Sequence, residues 1–417
     1  MTQEVEPIGL LTPDDLLRRA SAMVPVLKER AGYTEELRRM PDETVQDILA
    51  SGLYRIGVPT IFGGIDVEYA LMLEIGSMLG AGCPSTSWCY CIWSAHAWLV
   101  GYWPLEAQQE VFGAAPDILV STSLNSGKST LKKTAGGYIF SGRWEFSSGC
   151  DAAEWVILGG DSPEGLVWVL VPRTDYEIYD TWFVSGLSGT GSKDILISDV
   201  FVPEYRVIDR EQGGNEVNHG WEIHQNDRYR MPLQALLGWD LAAPMIGMAQ
   251  GAIEEFTDRL TGTSGSGRTA ESGSVHVRLS QASAEVDAAR ALMRGDVQEM
   301  FLKAKQGEVF SLLDRARYRR DKAFVAQQCM NAVNRLFKAE RRPCHLRVWT
   351  DATISQGYSS CCPPRWFHNG FGRPSIRAYR FRIGTRRQDL DILFALWVPG
   401  SVNPGEISTG RSLSSSQ

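Results

Sequence analysis

From residue 12 to about residue 115 the apolar positions recur at helical spacing. Thr12, Asp14 and Asp15 offer caps ahead of LLRRASAMVPVLKERA, and Pro41-Asp-Glu-Thr opens a second helix, VQDILASG, that stops at Gly52. EYALMLEIGSMLGAG repeats the pattern. CPSTSWCYCIWSAHAWLVGYW is apolar nearly all round, which predicts a helix buried on every side, and LEAQQEVFG follows it. Near residue 116 the period changes to two. DILVSTSL, GGYIFSGRWEFSSG, EWVILGGD, GLVWVLVPR and KDILISDVFVP are short β-rich runs divided by Gly, Pro, Asp and Ser, and they predict a mostly antiparallel β domain running to about residue 210. Helical spacing returns near residue 230. LQALLGWDLAAPMIGMAQGAIEEFTDRL reads as one long element, TSGSGRTAESGS as a flexible connection, and the two stretches that follow as long amphipathic helices. Their charged faces alternate in sign, as on a solvated or oligomer-lining surface. The expected fold is α+β, with an N-terminal helical domain (1–115), a central antiparallel β domain (116–225) and a C-terminal helix bundle (226–338).

From about Glu340 neither period is sustained, and the segment is dense in Arg and holds three of the eight Cys. An irregular tail is one reading of residues 339–417. A displaced reading frame is the other. Synonymous codons for residues 340–362, read one nucleotide later, permit SGGRAIYESGPMQRYLRDTHHAA, which carries the helix ending NAVNRLFKA into a Gly turn and a new helix start.

Composition narrows the functional classes. A net charge of −7 and the lack of a long basic run give no reason to expect nucleic acid. No apolar run reaches the roughly 18 residues of a membrane span, and the first residues carry no signal-peptide pattern, so a cytoplasmic protein is expected. The Cys residues show no CxxC or zinc spacing, so no metal site is expected. Thirteen Trp, thirteen Tyr and fifteen Phe suit either a large core or a flat pocket for a ring.

Two stretches of the β domain carry the strongest signals. In Gly142-Arg-Trp-Glu-Phe-Ser-Ser-Gly149 small hydroxyl residues end a strand, where they could meet the edge of a flat ligand, while Trp144 and Phe146 could wall a ring. A hairpin with core aromatics fits the same residues. In Gly186-Leu-Ser-Gly-Thr-Gly-Ser-Lys-Asp the glycines do not form a dinucleotide fingerprint, and alone they mark a tight turn entering a strand. In the all-apolar helix, Trp88 and His96 lie eight residues apart, on roughly one face and about 12 Å apart along the axis. A lone His there is as readily a satisfied core residue as a functional one.

WEFSSG, GLSGTGSKD followed by DVFVP, and the helix–β–helix order together resemble the acyl-CoA dehydrogenase superfamily over roughly residues 15–338. More narrowly, Ser85-Thr-Ser-Trp-Cys-Tyr-Cys-Ile-Trp-Ser-Ala-His-Ala-Trp98 is similar to the oxygenase components of two-component flavin-dependent monooxygenases, the relatives of hydroxyphenylacetate hydroxylase. The resemblance implies hydroxylation of a small phenol- or indole-type aromatic with O2, through a C4a-hydroperoxyflavin, using reduced FMN or FAD from a separate flavin reductase. It also implies a homotetramer. It assigns Trp88 and His96 to the substrate, with His96 binding a polar group or assisting proton transfer near neutral pH. It assigns Ser147, or its neighbour Ser148, to the flavin N5 region, Trp144 and Phe146 to the isoalloxazine, and Arg230 to flavin polar contacts. The oxygenase branch also carries a C-terminal RD-x-x-H stretch with paired His; the chain as written lacks it, and the displaced frame would supply it. An acyl-CoA dehydrogenase and a non-catalytic or damaged flavin-fold protein are the competing readings.

Overall fold

The structure is a computed structural model and describes residues 11–162, 165–210, 218–261 and 273–338, together with the backbone of 377–385 and 388–396. The chain divides into two compact units, Met1–Pro363 and Pro364–Gln417.

The first unit begins with helices α1 (Pro13–Leu37), α2 (Asp42–Ala50), α3 (Tyr69–Gly82), α4 (Pro84–Val100) and α5 (Leu105–Phe112). Thr12 and Asp15 close a capping box on α1, each satisfying a backbone N–H of the other's residue. Pro84 sits at the first position of α4, where its missing N–H costs nothing. All 17 residues of α4 are buried, as a helix apolar on every side requires. Of its small hydroxyls, Ser85 donates to Glu35 and Ser87 Oγ donates to the Gly76 carbonyl of α3 at 2.6 Å, while those of Thr86 and Ser94 are buried without a partner among the described residues.

Eight strands follow: β1 (Val120–Ser123), β2 (Lys128–Thr134), β3 (Gly137–Ser147), β4 (Trp155–Ser162), β5 (Gly165–Pro172), β6 (Glu177–Tyr179), β7 (Lys193–Pro203) and β8 (Val207–Asp209). They form two sheets, ordered β1-β4-β5-β8 and β2-β3-β7-β6. The antiparallel expectation holds for every described pairing of these strands except one: β1 runs parallel to β4. Between the sheets lies a small core that includes Phe140, Trp144, Val156, Leu158, Val169, Val171, Ile195 and Ile197. Alternate residues of the first sheet, Ile157, Trp168 and Leu170, belong instead to the large helical core. The middle of β4 is therefore buried on both faces, which is why WVILGG reads as an unbroken apolar run.

Helical structure resumes earlier than expected, at α6 (His219–His224), inside the segment assigned to the β domain. The element expected to run unbroken from Leu233 is two helices, α7 (Leu233–Leu236) and α8 (Trp239–Thr261). Gly238, at φ 99°, makes the turn between them, a backbone conformation that a side chain would resist. The bundle is completed by α9 (Gly273–Gln306) and α10 (Leu312–Phe337). Some of their alternating charges pair with each other, as in Arg335–Glu285 and Lys303–Asp314 (3.1 Å), and Arg294 reaches Glu74 of α3 at 2.6 Å. Of the Gly/Ser-rich connection expected over residues 263–274, Gly273 and Ser274 begin α9 and the rest lies outside the described residues, as does most of the anomalous tail.

The second unit contains a hairpin of β9 (Arg377–Thr385) and β10 (Gln388–Leu396), antiparallel and in register throughout. A stretch in which no sustained period was expected therefore contains two strands.

Candidate active site

Strand β3 ends in a distortion. Trp144 pairs with Ile195 of β7 and Ser147 with Lys193, so β3 carries one residue more than its partner between the two pairs. This is a β-bulge, a device that re-aims side chains. Within it Phe146 takes a left-handed φ of 66° and leaves its ring 58% exposed. A large residue in that conformation is strained, and such strain concentrates at ligand sites. The ring meets Trp182 edge-on, with centroids 6.1 Å apart and planes at 77°.

Beyond the bulge, the Ser147–Gly149 turn is fastened to α4. Trp88 Nε1 donates to Ser148 Oγ at 3.1 Å, and Trp93 Nε1 donates to the Gly149 carbonyl at 3.2 Å. Gly149 sits at φ 68°, and a Cβ there would overlap the Trp93 indole. Ser148 Oγ is 2.7 Å from Ser192 Oγ, which is 2.7 Å from Thr190 Oγ1, and Thr190 Oγ1 donates to the Leu187 carbonyl at 2.8 Å. Glu35 of α1 accepts from the backbone N–H of Ser188 at 2.7 Å, holding the same GLSGTGS turn from the other side.

Strand β1 links this turn to His96. Ser147 Oγ donates to Ser121 Oγ at 3.3 Å, and on the next residue Thr122 Oγ1 lies 3.0 Å from His96 Nε2. His96 is buried, and among the described residues its Nδ1 has no hydrogen-bond partner. Burial pushes the imidazole down to about 3, against a smaller opposing pull from the Val120 backbone, so the ring is neutral at physiological pH. Binding a polar group is the role the geometry suits: depending on its tautomer, a neutral imidazole offers one donor or one acceptor at Nδ1.

The structure thus gathers Trp88, His96, Phe146, Ser147 and Ser148 around the β3 bulge, α4 and β1. Two of the expected residues are not brought to this cluster. Trp144 is fully enclosed between the sheets, its ring 4.8 Å from that of Phe140 and its Nε1 donating to the Gly159 carbonyl at 2.8 Å, so it has no face left for a ligand. Arg230 keeps to its own segment. Its guanidinium stacks 3.9 Å over the Trp221 ring and lies 3.9 Å from Asp227, and none of these contacts reaches β1, β3 or α4. Thr122, Ser121, Ser192, Thr190 and Trp182 were missed. The hydroxyl-rich VSTS of β1, between apolar runs, was the available signal for the first two.

This geometry can hold a flat ring. An exposed aromatic on a strained bulge offers a face, the adjoining Ser147 and Ser148 carry buried hydroxyls, and the His96 imidazole is buried with one orphaned nitrogen among the described residues. Those features fit an isoalloxazine beside a small substrate.

Residues 240–340 match the family model for the acyl-CoA dehydrogenase C-terminal domain. The chain is 31% identical to the oxygenase subunit HsaA of a flavin-dependent monooxygenase from Rhodococcus jostii, over 84% of this chain and 95% of that protein. The chain belongs to the oxygenase components of flavin-dependent monooxygenases. Among these oxygenases, the FADH(2)-dependent resorcinol hydroxylase of a Rhizobium strain is 33% identical, over 77% of this chain and 83% of that one. The crystal structure of 3-HSA hydroxylase from Rhodococcus sp. RHA1 superimposes with a TM-score of 0.79 at 29% identity, covering 85% of this chain and 96% of that one. The α+β architecture expected from the sequence is therefore the architecture of this oxygenase family.

Proposed function

We propose that this chain hydroxylates a small phenol- or indole-type aromatic with O2, using reduced FMN or FAD delivered by a separate flavin reductase. The observation that carries the reading is the bulged end of β3. There a strained, exposed Phe146 and the hydroxyls of Ser147 and Ser148 are tied through β1 and α4 to the elements that hold a buried, neutral His96. Reduced flavin, when bound, supplies the activation of O2 that lets one oxygen atom pass to the ring.

The chain's own groups bind, orient and shield. Phe146 packs against the flavin ring, and Trp182, at right angles to it, bounds the same space. Ser147 and Ser148 lie at the N5 edge. Ser148 is the less enclosed residue, at 8% exposure against none for Ser147, which moves the expected order of preference from Ser147 to Ser148. His96, with Nε2 bound to Thr122, turns Nδ1 to the substrate's hydroxyl or N–H. Helix α4, apolar on every face, keeps bulk water from this side of the site. A homotetramer in the cytoplasm agrees with this reading, and among the described residues no helix is long and apolar enough to cross a membrane.

The test is to mix the protein anaerobically with reduced FMN or FAD, admit O2 and a phenol or indole, and measure hydroxylated product against flavin oxidised. Product formation that needs the protein supports the proposal. Tight retention of oxidised FAD with bleaching by an acyl-CoA would make the chain a dehydrogenase. Absence of any flavin binding would leave a non-catalytic protein.

A further inference from the structure

The hydroxyls behind Ser148 can carry their protons in only one direction. Thr190 Oγ1 is 2.8 Å from the Leu187 carbonyl, which can only accept, so the single Thr190 proton is spent there. The 2.7 Å contact between Thr190 and Ser192 must then be donated by Ser192. With its own proton used, Ser192 must accept across the 2.7 Å contact with Ser148. Ser148 therefore gives its proton to Ser192, and on its other side it accepts from Trp88 Nε1, which can only donate. The Leu187 carbonyl is held in turn by Trp182 Nε1 at 3.0 Å and by the Thr190 backbone N–H at 3.2 Å. All three hydroxyls of the line are buried, so water does not readily reverse it.

Ser148 is left with one unused lone pair and no free proton. It is an obligate acceptor towards anything placed at the β3 bulge. The two redox states of a flavin differ at the atom assigned to this edge: reduced flavin carries a proton on N5 and donates, whereas oxidised flavin presents a lone pair and needs a donor. We infer that the line Trp88–Ser148–Ser192–Thr190–Leu187 makes this site selective for reduced over oxidised flavin, with Ser192 and Thr190 as the positioning residues that set the preference. This rests on the proposed function, in that Ser148 must face the flavin.

The mechanism separates favoured from disfavoured variants. In Ser192→Ala the Ser148 proton loses its acceptor and can turn to the ligand, so Ser148 serves either redox state. In Thr190→Val the line loses its terminus, and Ser192 can donate back to Ser148. Ser192→Thr keeps the hydroxyl and keeps the direction. Trp88→Phe removes a donor to Ser148 but leaves its proton committed, so selectivity survives.

The experiment measures dissociation constants of the whole protein for reduced FMN and FAD (anaerobically) and for the same flavins oxidised, by fluorescence titration, with thermal melts as a folding control. Ser192→Ala and Thr190→Val are expected to lower the oxidised-to-reduced ratio about tenfold, a change of about 1.4 kcal/mol, chiefly by tightening oxidised flavin. Ser192→Thr should restore the parent ratio. A ratio unchanged in whichever of Ser192→Ala and Thr190→Val melts like the parent overturns the inference. Ser148→Ala separates this from failure of the site itself: if it leaves reduced-flavin affinity unchanged, Ser148 does not face the flavin and the reading beneath the inference falls.

Discussion

Phe146 offers a test in which stability and binding part company. The perturbation is Phe146→Gly, with Phe146→Ala beside it. At φ 66° a side-chain-bearing residue costs about 1 to 2 kcal/mol, which Gly relieves. Gly gives back about 0.5 to 1 kcal/mol through its freer unfolded chain. The ring is 58% exposed, so deleting it forfeits roughly 1 kcal/mol of burial, where a fully buried Phe would forfeit about 3 to 5 kcal/mol. These terms nearly cancel, and Phe146→Gly should unfold in urea within about 1 kcal/mol of the parent. Phe146→Ala keeps the strained backbone and loses the ring, so it should be the less stable of the two. Reduced-flavin binding should fall in both, by about tenfold or more, because the ring contributes its burial on binding and about 0.5 to 1.5 kcal/mol of aromatic contact. Urea melts followed by Trp fluorescence and anaerobic flavin titration give the two numbers. A loss of more than about 2 kcal/mol in Phe146→Gly would make the ring a core residue. Unchanged flavin affinity in both variants would remove Phe146 from the site.

Gly149→Ala should cost several times what an ordinary surface change does, about 3 kcal/mol or more, since it adds left-handed strain and a Cβ that overlaps the Trp93 indole; a melting temperature within a degree or so of the parent would show that the turn is not clamped to α4. His96, pushed down to about 3 by burial, stays neutral in the fold while the unfolded chain takes up a proton near the ordinary His value. Its contribution is intact above about pH 6.5 and is lost as pH falls towards 3, a loss of about 2 kcal/mol by pH 5 that His96→Gln should abolish in paired urea melts at pH 7.5 and 5. Asp296 is raised to about 6 by burial and by the neighbouring Asp321, so the stability tied to its protonated form is present below the usual carboxylate range and lost as pH rises through about 6. Asp296→Asn should therefore stabilise the protein by about 1 to 2 kcal/mol at pH 8 and by little at pH 4, and a destabilisation at pH 8 would show that the lost Arg317 contact outweighs the relieved burial. The displaced-frame reading of residues 339–417 predicts a one-nucleotide slip near Lys338–Glu340 in the gene, and DNA sequencing that confirms the frame as written would end it.

What the sequence disclosed followed from periodicity. The buried α4 was legible because no face of SWCYCIWSAHAWLV is polar, and the sheets were legible because apolar residues alternate or run unbroken in short stretches. The break at Gly238 was not, because a glycine inside a helical pattern is tolerated as often as it turns the chain. In the tail, Tyr379, Phe381 and Ile383 alternate with Arg380 and Arg382, a period of two that the surrounding irregularity obscured. The site was half legible. Composition could place Trp144 and Phe146 together near a ligand, but the single-residue bulge that sends one ring into the sheet core and the other outwards depends on a pairing with β7, some fifty residues later. For the same reason Ser192 and Thr190 gave no sign of their bond line to Ser148, which exists only once the GLSGTGS turn folds against the end of β3.

The distribution of anchors suggests how the site keeps its dimensions. Trp88, Trp93 and His96 share one helix, so their spacing is set by helical geometry, about 1.5 Å for each intervening residue, and does not depend on loops. Trp88 and Trp93 grip the Ser148–Gly149 turn, and His96 grips Thr122 of β1, which adjoins Ser121 and through it Ser147. The hydroxyls proposed for the flavin edge and the imidazole proposed for the substrate are thus referred to the same rigid frame from both ends. A change in the 186–192 turn can alter how Ser148 uses its proton without moving His96, whereas a change that tilts α4 moves both. Variants of Ser192 or Thr190 should accordingly shift flavin selectivity while leaving substrate affinity near that of the parent, and variants that repack α4, such as Trp93→Ala, should degrade both together. Equal losses of flavin selectivity and substrate affinity in Ser192→Ala would show that the turn, and not the helix, sets the position of His96.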